Sequence, residues 1–226
     1  MASSDHYQHR FISGDATPWP AGKVLCVGRN YAAHAAELNN SVPEAPLLFL
    51  KPSTAITAFD GELALAADLG IHHYETEMTV LIGKPLRRCS PEQARGAIAG
   101  LGVGLDLTLR ALQDNLKARR HPWEQAKAFD GSCVLSAFAP SLPTTDIQNL
   151  AVRLWRNGEL VQDGNTGQML FPVVALLEKM SRYFTLLPGD VVMTGTPKGV
   201  GELHHGDTVR AELGTLVVAQ ASVAYL

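Results

Sequence analysis

The chain strings together short apolar runs closed by turn residues, with few long periodic stretches. "KVLCVG" (23–28), "PLLFLKP" (46–52) and "TEMTVLIG" (76–83) read as strands, each ending on Gly or Pro. After residue 120 the pattern continues with "SCVLSAF", "VRLWRNGELV", "DVVMTG", "TVRAELG" and "TLVVAQASVAYL", where Asn157-Gly158 signals a two-residue hairpin turn. Three segments read as helices. "RNYAAHAAELNN" (29–40) is alanine-rich and stops at two asparagines, and "SPEQARGAIAG" (90–100) offers Ser90 as N-cap, Pro91 at N1 and Glu92 in the first turn. The third, about 107–120, puts Leu109, Leu112 and Leu116 on an apolar stripe and Asp106, Arg110 and Gln113 on a polar one. Many short strands and few helices favour a β-rich α+β sandwich or roll over alternating βαβ units. With no repeat or linker in sight, the pattern predicts a loose N-terminal arm (1–22) and a single domain (23–226).

The bulk numbers narrow the function. A chain of 226 residues, 46% hydrophobic, suffices for one large domain with a full core. A net charge of −3 provides no field for nucleic acid, and the basic run "KARRHP" (117–122) reads as a helix end. Three cysteines without CxxC spacing argue against a disulfide scaffold or a thiolate zinc site and suit a reducing cytoplasm. The N-terminus lacks the apolar core of a signal peptide, and "AIAGLGVGL" (97–105) is about half a bilayer span. A cytoplasmic protein with no membrane segment is expected.

The chemistry centres on "HHYETEMTVLIG" (72–83). On a strand Glu75 and Glu77 stand on one face and repel each other unless a proton or cation lies between them. They are either solvated edge-strand charges or ligands of a hard divalent cation, with Asp106 as a third carboxylate if it is not merely an N-cap. His73 alternates in register with both, so a His73–Glu75–Glu77 site for iron or zinc is a rival. His34 and Glu37 lie at i and i+3: an incidental surface pair, or a histidine oriented by a carboxylate as general base, on a short lid around 29–40. Lys127 is either a solvated lysine or a buried cation for an enolate or oxyanion. "TGTPKGVG" (194–201) lacks the ending of a phosphate loop, but its amides suit a carboxylate. His72–His73, His204–His205, His6 and His9 read as surface residues.

In order, "VGRNYAAHAAEL", "FLKP", "HYETEMTVLIG", "GVGLDLTLRALQ", "WEQAKAFDGS" and "VMTGTPKGVG" resemble the fumarylacetoacetate hydrolase superfamily, in its short acylpyruvate hydrolase and oxaloacetate decarboxylase branch. The resemblance implies a mixed β-sandwich roll, a homodimer, and Mg2+ or Mn2+ held by Glu75, Glu77 and Asp106. It also implies a water-activating dyad of His34 and Glu37, assistance from Lys127, and Arg29, Lys51, Arg110, Gln113 and Thr196 around a small 2-oxo or 2,4-dioxo acid. The implied activity is hydrolysis of a C–C bond in acylpyruvates, such as fumarylpyruvate or acetylpyruvate, through a pyruvate enolate stabilised by the cation. Oxaloacetate decarboxylation and keto–enol isomerisation pass through the same species and stand as the alternative.

Overall fold

The computed structural model describes residues 7–226. The predicted β-rich α+β architecture is what the chain adopts: an eight-stranded and a five-stranded sheet, with short helices at their margins. The large sheet runs in the order Leu47–Lys51, Val24–Gly28, Val191–Met193, Thr76–Ile82, Ile98–Asp106, Cys133–Leu135 and Ile56–Ala58, with Ala139–Pro140 also pairing onto Ile98–Asp106. Its pairing is mixed: Val24–Gly28 lies parallel to Val191–Met193, whereas Thr76–Ile82 is antiparallel to both of its neighbours. The two outer strands, Leu47–Lys51 and Ile56–Ala58, are joined by a single turn of 3-10 helix at Ser53–Ala55, so the sheet curls until they approach. The smaller sheet orders Glu159–Asn165, Ala151–Arg156, Thr208–Leu213, Val217–Tyr225 and Glu62–Leu65.

Alternation along the strands places the core. Met78, Val80, Ile82, Leu101, Val103 and Leu105 of the large sheet join Val152, Leu154, Val209, Ala211 and Leu213 of the smaller one in one apolar cluster. The opposite face of the central strands is also apolar (Cys26, Leu81, Leu135, Val191, Met193) and is covered by Phe138, Phe11 and Trp19. That cover corrects the expectation of a loose arm. His9 is fully buried with Nε2 3.0 Å from the Gly189 carbonyl, and Phe11 bridges Phe138. Residues 1–6 of the expected arm, His6 among them, lie outside the described residues.

Other local expectations divide. Asn157 and Gly158 take φ of 52° and 82°, the paired left-handed geometry of a type I′ hairpin. Ser90 caps its helix through a capping box with Gln93, but that helix ends at Gly96 and the chain enters the Ile98–Asp106 strand. The next helix begins at Arg110, so Asp106 is no N-cap: it is the last residue of a strand. Leu109 and Leu116 bury against Ala126 as the apolar stripe predicts. The Val173–Tyr183 helix has no counterpart in the strand-by-strand reading. Val173, Leu176, Leu177 and Met180 recur at helical spacing along it, and all are buried. Among the described residues no helix is long and apolar enough to cross a membrane. The three cysteines are free and buried, and burial pushes the Cys133 thiol up to about 12.

Candidate active site

Sheet register builds the site. The ladder that pairs Thr76 with Leu105 and Glu77 with Gly104 continues by one step, where Asp106 N donates to the Glu75 carbonyl at 2.8 Å. Glu75 and Asp106 are therefore cross-strand neighbours on one face, and Glu77 follows on that face with only a glycine opposite. Gly100, Gly102 and Gly104 share that face. A Cβ on Gly104 would lie 2.9 Å from Thr79 Cγ2, and one on Gly102 would lie 2.9 Å from Ser136 Oγ. The glycine stripe thus admits neighbouring strand residues, not a ligand. Thr76–Ile82 is a central strand, which removes the edge-strand explanation of the two glutamates.

Among the described residues, Glu75, Glu77 and Asp106 form the group whose ligand oxygens lie within 4.8 Å of one another, all buried. His73 does not join them. Its backbone continues the same ladder, paired with Thr108 through hydrogen bonds of 2.9 and 3.0 Å, but on its other side the strand His73–Tyr74 pairs with Gly201–Glu202, and the imidazole turns there, with His73 Nε2 3.8 Å from Glu202. His72 and His9, read as surface residues, are buried: His72 packs edge-on against Phe129 and Tyr225, with Nδ1 3.2 Å from the Tyr225 hydroxyl.

Two buried lysines and the half-buried Arg110 face the carboxylates. Lys127 Nζ donates to Glu75 Oε2 (2.8 Å), Asp106 Oδ2 (2.7 Å) and Thr108 Oγ1 (2.7 Å), which uses all of its protons. Lys51 has no exposed surface. Its Nζ donates to the carbonyls of Lys127 and Ser132 and lies 2.8 Å from Asp106 Oδ1, behind the carboxylates and outside the cleft. That approach is off the hydrogen-bonding direction, so Asp106 Oδ1 is buried without a hydrogen bond. Arg110 pairs with Glu75 through Nη2 and donates to Gln113 Oε1 at 2.7 Å.

The charges separate the two glutamates. Burial pushes Glu75 up, but Lys127 and Arg110 outweigh it and hold the carboxyl well below the usual range. Glu77 has no basic partner: burial, then Asp106 and Glu75, push it well above that range, opposed by the Gly195 N–H donating at 2.6 Å. Three buried carboxylates within reach of one another, with Glu77 crowded by the other two and lacking a basic partner, make an all-oxygen set that fits a hard divalent cation.

The cleft above is lined by Arg29, His34, Phe49, Glu75, Glu77, Arg110, Gln113, Trp123, Lys127 and Thr196, among others. The predicted site residues meet here, with Asp106, Lys51 and Glu37 lying just behind the lining. His34 is on the short helix Ala32–Glu37, its Nδ1 3.3 Å from Glu37 Oε2, while Glu37 Oε1 accepts the Gly199 N–H at 2.9 Å. The carboxylates held by the 194–201 turn are thus the protein's own.

Two residues absent from the sequence-based set hold this frame. Asn30 is fully buried. Its side chain donates to the Phe171 and Thr194 carbonyls and accepts from Phe171 N, anchoring the base of the Ala32–Glu37 helix. Gln162 accepts from Thr76 N and donates to Thr196 Oγ1 and the Pro197 carbonyl, each at 2.9 Å. A polar residue at an inward strand position was the available signal for Gln162; Asn30 had none. Gly195 sits at φ +95°, and a Cβ there would lie 2.6 Å from Asn30 Cβ. Gly195→Ala is therefore expected to cost about 2–3 kcal/mol, read as a lowered midpoint in urea; an unchanged midpoint would show that this contact relaxes freely.

A strand-rich roll of this topology defines a fold class shared with known enzymes. The chain belongs to the fumarylacetoacetate hydrolase family: residues 23–224 match the description Fumarylacetoacetate (FAA) hydrolase C-terminal. It is 50% identical over 202 residues (89% of this chain, 92% of the relative) to the oxaloacetate tautomerase YcgM of Escherichia coli (strain K12). It is 41% identical over 194 residues (85% and 88%) to the mitochondrial oxaloacetate tautomerase FAHD1 of Bos taurus. The structure of fumarylpyruvate hydrolase from Pseudomonas aeruginosa, in complex with Mn2+ and pyruvate, superposes with a TM-score of 0.92 at 34% identity, over 100% of this chain and 99% of that one.

Proposed function

We propose that this chain is a divalent-cation-dependent oxaloacetate tautomerase, moving a proton between C3 and the C2 oxygen of a small 2-oxo diacid. The reading rests on the carboxylate group beside a carboxylate-held histidine in a chain 50% identical to a tautomerase of that substrate. Read from the sequence, acylpyruvate hydrolysis stood first and tautomerisation second; the relatives favour the reverse order.

Held by Glu75, Glu77 and Asp106, Mg2+ or Mn2+ supplies Lewis-acid polarisation of the 2-oxo group and a positive surplus that suits a dianion. Lys51, Lys127 and Arg110 equal the three carboxylates in number, but all three pair with Glu75 or Asp106 and none with Glu77. His34 is the base. Glu37 beside Nδ1 holds the tautomer with the proton on Nδ1, leaving Nε2 to take a proton from C3 and deliver it to the C2 oxygen, or the reverse. Gly199 N–H fixes Glu37 in turn, so the 29–40 segment works as a lid whose base is coupled to the 194–201 turn. Lys127, its protons committed to Glu75, Asp106 and Thr108, orients the carboxylates and stabilises negative charge through them. Hydrolysis of acylpyruvates is the second reading, favoured by the likeness to fumarylpyruvate hydrolase, and uses the same dyad on water.

The test follows loss of the enol of oxaloacetate by ultraviolet absorbance, with pyruvate release and acetylpyruvate cleavage as parallel assays. Fast ketonisation without stoichiometric pyruvate is expected, and His34→Ala is expected to slow it about 10²–10³-fold. Acylpyruvate cleavage without accelerated ketonisation would replace the proposal with the hydrolase.

A further inference from the structure

The cleft holds cations that the carboxylate group does not use. Lys127 and Arg110 are paired to Glu75 or Asp106, but Arg29 and Lys117 also line the cleft, and among the described residues neither pairs with any of the three carboxylates. Arg29 adopts φ 58°, an uncommon conformation for a residue with a side chain. Lys117 lies in the last turn of Arg110–Ala118, where a lysine ordinarily extends into water. Here its Nζ instead donates to Gln113 Oε1 at 3.1 Å and lies 5.4 Å from the centre of the Trp123 ring. Its one acidic neighbour, Asp114 at 3.6 Å, is largely exposed. Gln113 Oε1 thus accepts from two cations, Arg110 on the side of Glu75 and Lys117 further out.

We infer that Lys117 is a specificity-determining residue: with Arg29 it binds the second carboxylate of a dicarboxylic substrate whose 2-oxo acid end lies at Glu75, Glu77 and Asp106. This rests on the proposed tautomerase reading for the orientation of the substrate. The carboxylate beyond C3 of a 2-oxo diacid must project away from the carboxylate group, along the wall where Gln113 spaces the two cations. Burial, then Arg110, Arg29 and Lys127, lower the pKa of Lys117 against the pull of Asp114, which is the strain that a bound anion relieves. Trp123 and Phe49 close the same wall with apolar surface, so the carboxylate has few competing polar contacts there.

Oxaloacetate and pyruvate differ only by that carboxylate, which makes them the probes. In calorimetric titrations of manganese-loaded protein, wild type is expected to bind oxaloacetate more tightly than pyruvate. Lys117→Met is expected to lose about tenfold toward oxaloacetate, the size of one charge-assisted hydrogen bond, and nothing toward pyruvate or oxalate. Lys117→Arg should restore the preference, and the KM for oxaloacetate should rise in Lys117→Met with kcat little changed. Equal losses toward pyruvate and oxaloacetate, or no loss toward either, would overturn the inference. Should Lys117→Met fail to fold, Lys117→Gln is read in the same way. A wild type that binds oxaloacetate with this preference but does not ketonise it would reject the tautomerase reading and leave the carboxylate subsite standing.

Discussion

Glu77→Gln is expected to abolish measurable cation binding while leaving the metal-free protein as stable as wild type, or more so. The reason is the asymmetry among the three carboxylates. Glu75 and Asp106 are each bound by buried cations, so their neutral replacements strand a positive charge. Glu77 has only the Gly195 N–H, and the fold already disfavours its ionisation through burial, Asp106 and Glu75. A neutral amide of the same shape imitates the protonated acid: one end accepts from Gly195 N and the other is free to donate toward the neighbouring carboxylates.

The sign with pH follows. A carboxyl whose folded pKa is raised contributes stability that is fully present below its ordinary value of 4.5 and lost as pH rises through the folded value. Glu75 has the opposite sign, its contribution being present above 4.5 and lost in acid. Subtracting the Glu77→Gln profile from that of wild type isolates the Glu77 contribution. The metal-free variant should gain on wild type as pH rises toward neutrality and beyond. Cation binding requires ionised Glu77, so wild type should release protons on taking up Mn2+, and affinity should weaken in acid. Calorimetry in two buffers of different ionisation enthalpy measures the release. In the variant, turnover should fall about 10³-fold or more, as expected when a cation carries the main charge stabilisation. Full Mn2+ affinity in Glu77→Gln would remove Glu77 from the cation site.

Lys51→Met is expected to be the most destabilising single change at the site. Lys51 has no exposed surface, and its ammonium serves Asp106 and the carbonyls of Lys127 and Ser132. Methionine fills a similar volume but leaves a buried carboxylate short of one counter-charge and two carbonyls short of a donor. Removal of one partner of a buried pair costs about 3–5 kcal/mol. Urea denaturation of metal-free protein provides the number, and a loss below about 1 kcal/mol would place the Asp106 charge chiefly on Lys127. Saturating Mn2+ should recover part of the loss, since a bound cation restores positive charge beside Asp106 and stabilises the folded state by mass action.

Val24–Gly28, Leu47–Lys51 and Thr76–Ile82 were legible because each is a short apolar run ended by Gly or Pro, whereas the start of Ile98–Asp106 read as the end of a helix; the 157–158 hairpin was legible because Asn-Gly suits two left-handed residues. Apolar stripes at helical spacing located the helix after Asp106, but the same signal in Val173–Tyr183 was lost among strand-like runs. Its valines and leucines satisfy either period over a short window. The arm read as loose because its sequence is polar and proline-rich; the apolar sheet face that holds Phe11 and Trp19 comes from strands far away in the chain.

What the sequence determined by itself was the set of chemical groups: the E-x-E pair, Asp106, the His34–Glu37 spacing, the lysines and the glycine-rich turn. Their order along the chain also carried the family, which residues 23–224 match. Only the tertiary structure decided which of them meet. One continued ladder step sets Asp106 across from Glu75, and pairing of His73–Tyr74 with Gly201–Glu202 on the other side places the His73 imidazole beside Glu202. Curling of the sheet brings Lys51 from an outer strand to the back of Asp106. These outcomes depend on register and closure between distant segments, and local residue preference carries no information about either.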